Sequence, residues 1–228
     1  MQNLDDRARL VVADPSGMLE IVRSLPRQLR EGWRAGRAAD LGLLRARPAN
    51  VIFAGLGGSA IGGDLAAAAI GPTLPVPFVV VRDANLPSYT GPQSLLIASS
   101  YSGETNEILE AADSAVSRGA RVLAITSGGR LAGLAESRGQ AVVRIPGGLP
   151  PRAALGYLLA PVLAALEGWE VCGPCAADVE EAAGFNRGDI GCDRGCGLRD
   201  GDAEFGDALI DAHRAAQALR AMRINPRD

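Results

Sequence analysis

VIFAGLGGSAIGGD, residues 51–64, joins an apolar run to an alanine-rich run through glycine. Val51-Ile52-Phe53-Ala54 is β-branched and aromatic, too short for a helix of its own, and suits a buried strand. Gly55, Gly57 and Gly58 let the backbone turn sharply and approach a ligand with no Cβ in the way. Ser59 is placed to cap the following segment, Ala60 to Ile70, whose alanines favour helix. A strand, a glycine turn and a helix N-terminus together present free N–H groups and a positive dipole end to an anion.

A second stretch has the same form. Leu95-Leu96-Ile97-Ala98-Ser99 reads as another buried strand, and Ser100-Tyr101-Ser102-Gly103-Glu104-Thr105 follows directly. A helical pattern then begins near Thr105 and runs through Ile108, Leu109, Ala112 and Val116. The hydroxyls of Ser100, Ser102 and Thr105 on a tight turn suit the several acceptor oxygens of a phosphate. Glu104 is expected to point to solvent, away from any such anion. Two such loops at the ends of parallel strands face one crevice, where open α/β sheets bind ligands.

Outward from these loops, strands are expected at 51–55, 77–81, 95–99, 121–125 and 141–145, with helices at 60–70, 105–118 and 129–137. That alternation predicts an α/β fold: an αβα sandwich around a five-stranded parallel sheet, flavodoxin-like, preceded by an N-terminal helix. Met18, Leu19, Ile21, Val22 and Leu25 carry the helical spacing of that leading segment, and Pro26 breaks or restarts it. The expected organisation is a helical segment over 1–45, the α/β domain over 46–185, and an atypical tail over 186–228, rich in Gly, Asp and Arg with little to bury. Pro151 suits the first turn of a long apolar helix from Ala153. Arg152 then stands at a helix start, where the dipole disfavours a cation, so an anionic partner explains it better than helix stability.

Composition narrows the function. Net charge is −3, which gives no global basic field for nucleic acid or an anionic membrane. All 23 basic residues are arginine, excluding a Walker P-loop and Schiff-base lysine chemistry. The longest apolar run, Ala153 to Leu166, is too short to span a bilayer, and the N-terminus lacks a signal-peptide core. A cytoplasmic protein is expected. Cys172-x-x-Cys175 and Cys192-x3-Cys196 approach zinc-ribbon spacing, although reduced thiols are the plainer reading. Gly55-x-Gly57-x-x-Ala60 also satisfies a dinucleotide fingerprint, with Asp83 as a possible ribose acid. The second, hydroxyl-rich loop favours a phosphate monoester over a pyrophosphate. Asp64 is open to two readings, a sugar-hydroxyl contact or a solvated helix-face acid, and Tyr101 reads as a packing side chain.

GLGGSAIGGD, SSYSGET and PPRAALGY together resemble the bifunctional phosphoglucose/phosphomannose isomerase family, built from sugar-isomerase (SIS) domains. DPSGMLEIVRSLPRQL is similar to that family's leading helix, and the likeness runs from about Ala13 to Ala183. The resemblance implies an aldose–ketose isomerisation of hexose 6-phosphates without metal or organic cofactor. It implies that Ser100, Ser102 and Thr105 hold the phosphate, that Gly57, Gly58 and Ser59 line the sugar end, and that Arg152 stabilises the enediolate oxyanion. It also implies pairing into a homodimer. The family's base glutamate, ring-opening histidine and C-terminal lysine come from a second SIS domain that no stretch here resembles. His213, the one histidine, sits in a different context and takes no catalytic role. A truncated or frame-shifted coding sequence after about Asn186 is expected. A sugar-phosphate sensor and a dinucleotide-binding protein are the alternative readings.

Overall fold

A computed structural model describes residues 12–42 and 47–184. The tail over 186–228, with Cys192, Cys196 and His213, lies outside the described residues. Five strands form one sheet: β1 (Asn50–Gly55), β2 (Phe78–Val81), β3 (Ser94–Ser99), β4 (Arg121–Thr126) and β5 (Ala141–Arg144). Every pairing is parallel, and the order is β2-β1-β3-β4-β5. Each strand falls within a residue or two of its expected position. Helices on both faces make the expected αβα sandwich.

Both faces of the sheet are covered, which is why its strands read as continuous apolar runs with no polar alternation. Val51, Phe53, Leu95, Ile97, Leu123 and Ile125 bury one face. Against it lie α2 (Leu25–Ala38), α3 (Gly58–Ile70), α6 (Leu155–Gly168) and α7 (Ala176–Gly184). Ile52, Ala54, Leu96, Ala98, Val122 and Ala124 bury the other face, under α4 (Asn106–Ser117) and α5 (Gly129–Ser137).

The strand order places the site. From β1 the chain crosses to β2 at one edge, and from β3 it crosses towards β4 at the other. Right-handed crossovers in opposite directions send α3 and α4 to opposite faces. The loops that leave β1 and β3 therefore part from each other over adjacent strand ends, where Gly55 pairs with Ser99. That reversal point is where sheets of this kind open a crevice.

In the N-terminal region α1 (Met18–Arg23) is followed by α2, with Ser24 between them and Pro26 in the first turn of α2. Asp14 replaces a hydroxyl cap for α1: its carboxylate accepts the Met18 and Leu19 N–H groups at 2.8 and 2.9 Å. Those bonds hold the Asp14 carboxyl below its ordinary value. α6 is buried along nearly its whole length, and α2 lies across it. Gln28 of α2 joins the two at one point. It is 1% exposed, donates Nε2–H to the Ala153 carbonyl at 2.9 Å, and accepts the Gly156 N–H at 3.2 Å. A buried amide satisfied on both ends fixes where α6 begins.

Two expectations change here. α6 begins at Leu155, not Ala153: Pro151–Ala153 is a separate 3-10 turn, and Gln28 holds the junction between the two. α7 was not expected at all. Val179, Ala182 and Ala183 form its buried side, an i, i+3, i+4 pattern too short to stand out beside Pro174.

Candidate functional site

The glycine turn after β1 differs from expectation in how it starts its helix. α3 begins at Gly58, and Gly57 occupies the cap position with φ 53° and ψ −126° and no side-chain cap bond. Ser59 is thus inside the helix and does not cap it. Its hydroxyl, on a residue 5% exposed, accepts the Tyr101 N–H at 3.2 Å. The two loops are tied together by that bond.

The turn after β3 is closed by its own hydroxyls. Ser100, buried, has its Oγ 2.9 Å from Thr105 Oγ1 and accepts the Gly103 N–H at 3.1 Å. Thr105 stands at the cap position of α4 yet makes no capping bond, because its hydroxyl faces Ser100. Ser102 is exposed and its hydroxyl accepts the Glu104 N–H at 3.2 Å, a serine turn. Gly103 has φ 71°, and a Cβ there would lie 2.0 Å from the Gly128 carbonyl oxygen. The loop after β4 is packed directly against it.

That third loop, Thr126-Ser127-Gly128-Gly129, was passed over in the sequence, although it repeats the strand–hydroxyl–glycine–helix pattern of the other two. Ser127 donates its hydroxyl to the Tyr101 carbonyl at 2.7 Å and its N–H to the same oxygen at 3.0 Å. Ser99, at the end of β3, was passed over too. Its hydroxyl is buried and, among the described residues, has no hydrogen-bond partner.

Tyr101 does more than pack. Its ring is buried, and its hydroxyl donates to the Pro146 carbonyl at 2.8 Å and accepts the Leu149 N–H at 3.0 Å. The loop after β5, which leads to Arg152, is anchored by that one oxygen. On the other side, Gly58 abuts the backbone of Arg152: a Cβ at residue 58 would lie 2.8 Å from the Arg152 nitrogen. Arg152 itself is exposed and, among the described residues, has no ion-pair partner. The glycine turn, the hydroxyl turn and Arg152 are thus brought to one end of the sheet by contacts involving Gly58, Ser59 and Tyr101.

The acids near the loops are engaged elsewhere. Glu104 is exposed, as expected, but it is bound to Arg130: Oε2 accepts from Arg130 Nε at 2.7 Å and Oε1 from the Arg130 N–H at 3.0 Å. These bonds, the side-chain one foremost, hold its carboxyl below the ordinary value. Neutralised in this way, it does not oppose an anion on the turn. Asp64 pairs with Arg82 on the solvent side of α3. Asp83 accepts the N–H and the side-chain amide of Asn85, each at 3.0 Å, and is committed to its turn. A hollow of about 540 Å3, lined by Ala67, Gly71, Leu74, Val76 and Phe78, lies at the far end of α3 and has no part in this arrangement. Among the described residues no helix is long and apolar enough to cross a membrane, and no three metal-binding side chains cluster.

Residues 43–137 match the family model of the SIS domain. This stretch of the chain is therefore similar to a SIS domain. Among curated proteins the chain is similar to the bifunctional phosphoglucose/phosphomannose isomerases. It is 43% identical to that of Caldicellulosiruptor bescii over 146 residues, 64% of this chain and 43% of the relative. It is 40% identical to that of Thermoplasma acidophilum over 136 residues, 60% of this chain and 40% of the relative. The chain thus spans about two fifths of the length of these relatives. Of solved structures, tagatose-6-phosphate ketose/aldose isomerase from Escherichia coli shares the fold with TM-score 0.56 at 24% identity, over 72% of this chain and 50% of that one. The C-terminal domain of glucosamine-fructose-6-phosphate aminotransferase from Francisella tularensis does so with TM-score 0.53 at 15% identity, over 73% and 52%.

Proposed function

We propose that this domain binds a hexose 6-phosphate and serves the aldose–ketose isomerisation between glucose or mannose 6-phosphate and fructose 6-phosphate. The observation that carries the reading is the meeting of two loop-to-helix junctions over the reversal point of the sheet, tied by Ser59 and Tyr101. Each junction offers backbone N–H groups at a helix start, and Ser100, Ser102 and Thr105 add hydroxyls that can rotate to a phosphoryl oxygen. The names of the relatives support the same substrate class.

Arg152 would act on the sugar end. Moving a proton between C1 and C2 passes through an enediolate, and a guanidinium fixed beside the forming oxyanion lowers that barrier. The proton itself needs a base within hydrogen-bond reach of the carbon. Glu104 is bound to Arg130, and His213 lies outside the described residues, so the base comes from outside these three loops. Phosphate monoesters bind by this reading whether or not the base is present.

Isothermal titration separates the readings. Fructose 6-phosphate should bind, inorganic phosphate should compete with it, and NAD should not bind. Ser102→Ala should weaken the sugar phosphate by about tenfold, the loss of one hydrogen bond to a charged group. Binding of NAD with no response to sugar phosphates would reject the assignment. Arg152→Ala should leave phosphate affinity within a few-fold while abolishing any isomerase turnover.

A further inference from the structure

Two cysteines remain unused by the site. Cys172-Gly173-Pro174-Cys175 forms the turn from α6 into α7, which begins at the next residue, Ala176. The two sulfurs are 3.8 Å apart. Cys172 is partly exposed, whereas Cys175 is 3% exposed. Cys175 is held from three directions: its Sγ contacts Cys172, the same sulfur lies 3.3 Å from the Gly173 carbonyl oxygen, and its N–H donates to Glu167 Oε2 at 2.5 Å. A zinc site would need further ligands, and among the described residues no group of three or more such side chains is arranged to hold a metal ion.

The two thiols are chemically unequal. A hydrogen bond from Cys175 holds the Cys172 thiol below its ordinary range. The same bond, then burial and the Glu167 carboxylate, pushes the Cys175 thiol up. Glu167 and Asp178 are the acids facing the pair, and Arg37 offsets Glu167 at 3.6 Å. An accessible sulfur ahead of a buried one, in Cys-X-X-Cys spacing at a helix start, suits attack on a disulfide followed by internal displacement.

We infer that Cys172 and Cys175 are a thiol–disulfide redox couple, with Cys172 the attacking sulfur and Cys175 the displacing one. The co-reactant is a low-molecular-weight disulfide. Cys172 thiolate attacks one of its sulfurs, the disulfide bond breaks, and one small thiolate leaves and takes up a proton. Cys175 then gives up its proton and attacks the Cys172 sulfur of the mixed disulfide, releasing the second small thiol. Two electrons pass from the cysteine pair to the co-reactant, and the two thiol protons end on the two released thiols. The couple lies beyond the C-terminal end of α6, about 20 Å of helix away from Arg152 at its other end. Its closure cross-links the turn that sets α7, which α2 holds through Arg30 and Glu180 at 2.7 Å.

The whole chain, equilibrated across glutathione redox buffers and trapped by alkylation, tests this by peptide mapping in a mass spectrometer. The peptide containing residues 172 and 175 should convert from two free thiols to one internal disulfide in a single two-electron transition. In the reduced protein, alkylation of Cys172 should outpace that of Cys175 by about tenfold or more. Cys175→Ser should accumulate glutathione at Cys172, and Cys172→Ser should accumulate none at Cys175. A pair that stays reduced in fully oxidised buffer overturns the inference, as does a disulfide from either residue to Cys192 or Cys196. Stoichiometric zinc released only when these two thiols are alkylated does so as well. The mapping of the unaltered chain needs no variant to fold.

Discussion

The Ser59 hydroxyl accepts the Tyr101 N–H at 3.2 Å, joining the turn after β1 to the turn after β3 inside the protein. Removing that oxygen leaves a buried N–H without a partner. Ser59→Ala is expected to cost about 1–3 kcal/mol of stability, the usual penalty for an orphaned buried donor. Urea unfolding reads this directly. The same variant should bind fructose 6-phosphate more weakly, because the two loops lose their common fastening. An unchanged unfolding midpoint would show that the bond contributes nothing.

Gly103→Ala places a methyl 2.0 Å from the Gly128 carbonyl oxygen at a residue with φ 71°. The Thr126 hydroxyl also lies 2.8 Å from that methyl, but the tightest contact is backbone and cannot swing aside. The expected loss is about 3 kcal/mol, from steric overlap together with the left-handed conformation. Ser102→Ala, one residue earlier and exposed, should stay within about 0.5 kcal/mol of the parent. Denaturation of the two variants side by side distinguishes a constrained glycine from a merely sensitive loop.

Glu104 is held below its ordinary value, 4.5, by its bonds to Arg130. A depressed carboxyl stabilises the fold above its unfolded value and loses that contribution as pH falls through the folded one. The Glu104–Arg130 contribution is therefore complete above about pH 4.5 and fades below it. Arg130→Ala should return the Glu104 carboxyl towards 4.5, which a carbon-detected NMR titration would follow. A titration curve that does not move would show that Arg130 is not the cause.

Glu170 closes α6 in a left-handed conformation with φ 56°. Its N–H bonds the Glu167 carbonyl at 2.9 Å and the Val171 N–H bonds that of Leu166 at 2.8 Å, which is a Schellman closure. Gly119 and Gly139 take the corresponding place after α4 and α5, where glycine pays no Cβ penalty. Glu170→Gly should stabilise the protein by about 0.5–1 kcal/mol, measured as a raised denaturant midpoint. A lower midpoint would mean the glutamate side chain has a role of its own.

The sheet was legible because both its faces are covered. Val51-Ile52-Phe53-Ala54 and Leu95-Leu96-Ile97-Ala98 could hardly be anything but buried strands once each was followed by a turn and a helical pattern. The hydroxyl-rich turn was legible for the same local reason. Ser59 was misread as a cap because serine prefers that position, while the actual cap, Gly57, is available only to a residue free to take that backbone angle. Arg152 was expected at the start of the long apolar helix and stands instead in the 3-10 turn before it, a junction bonded by Gln28, 125 residues distant from its partner Ala153. The two hydrogen bonds of the Tyr101 hydroxyl span 45 and 48 residues, and no local pattern announces them.

That hydroxyl has one more effect. Because it grips both Pro146 and Leu149, the strap leading to Arg152 is held at a set remove from the serine turn. Under the proposed reading, the protein carries a fixed gauge between the phosphorus atom and the carbonyl end of its sugar, favouring one carbon-chain length over its shorter homologues. Tyr101→Phe slackens the gauge, and the preference for fructose 6-phosphate over ribulose 5-phosphate should narrow with it when the two are titrated in parallel.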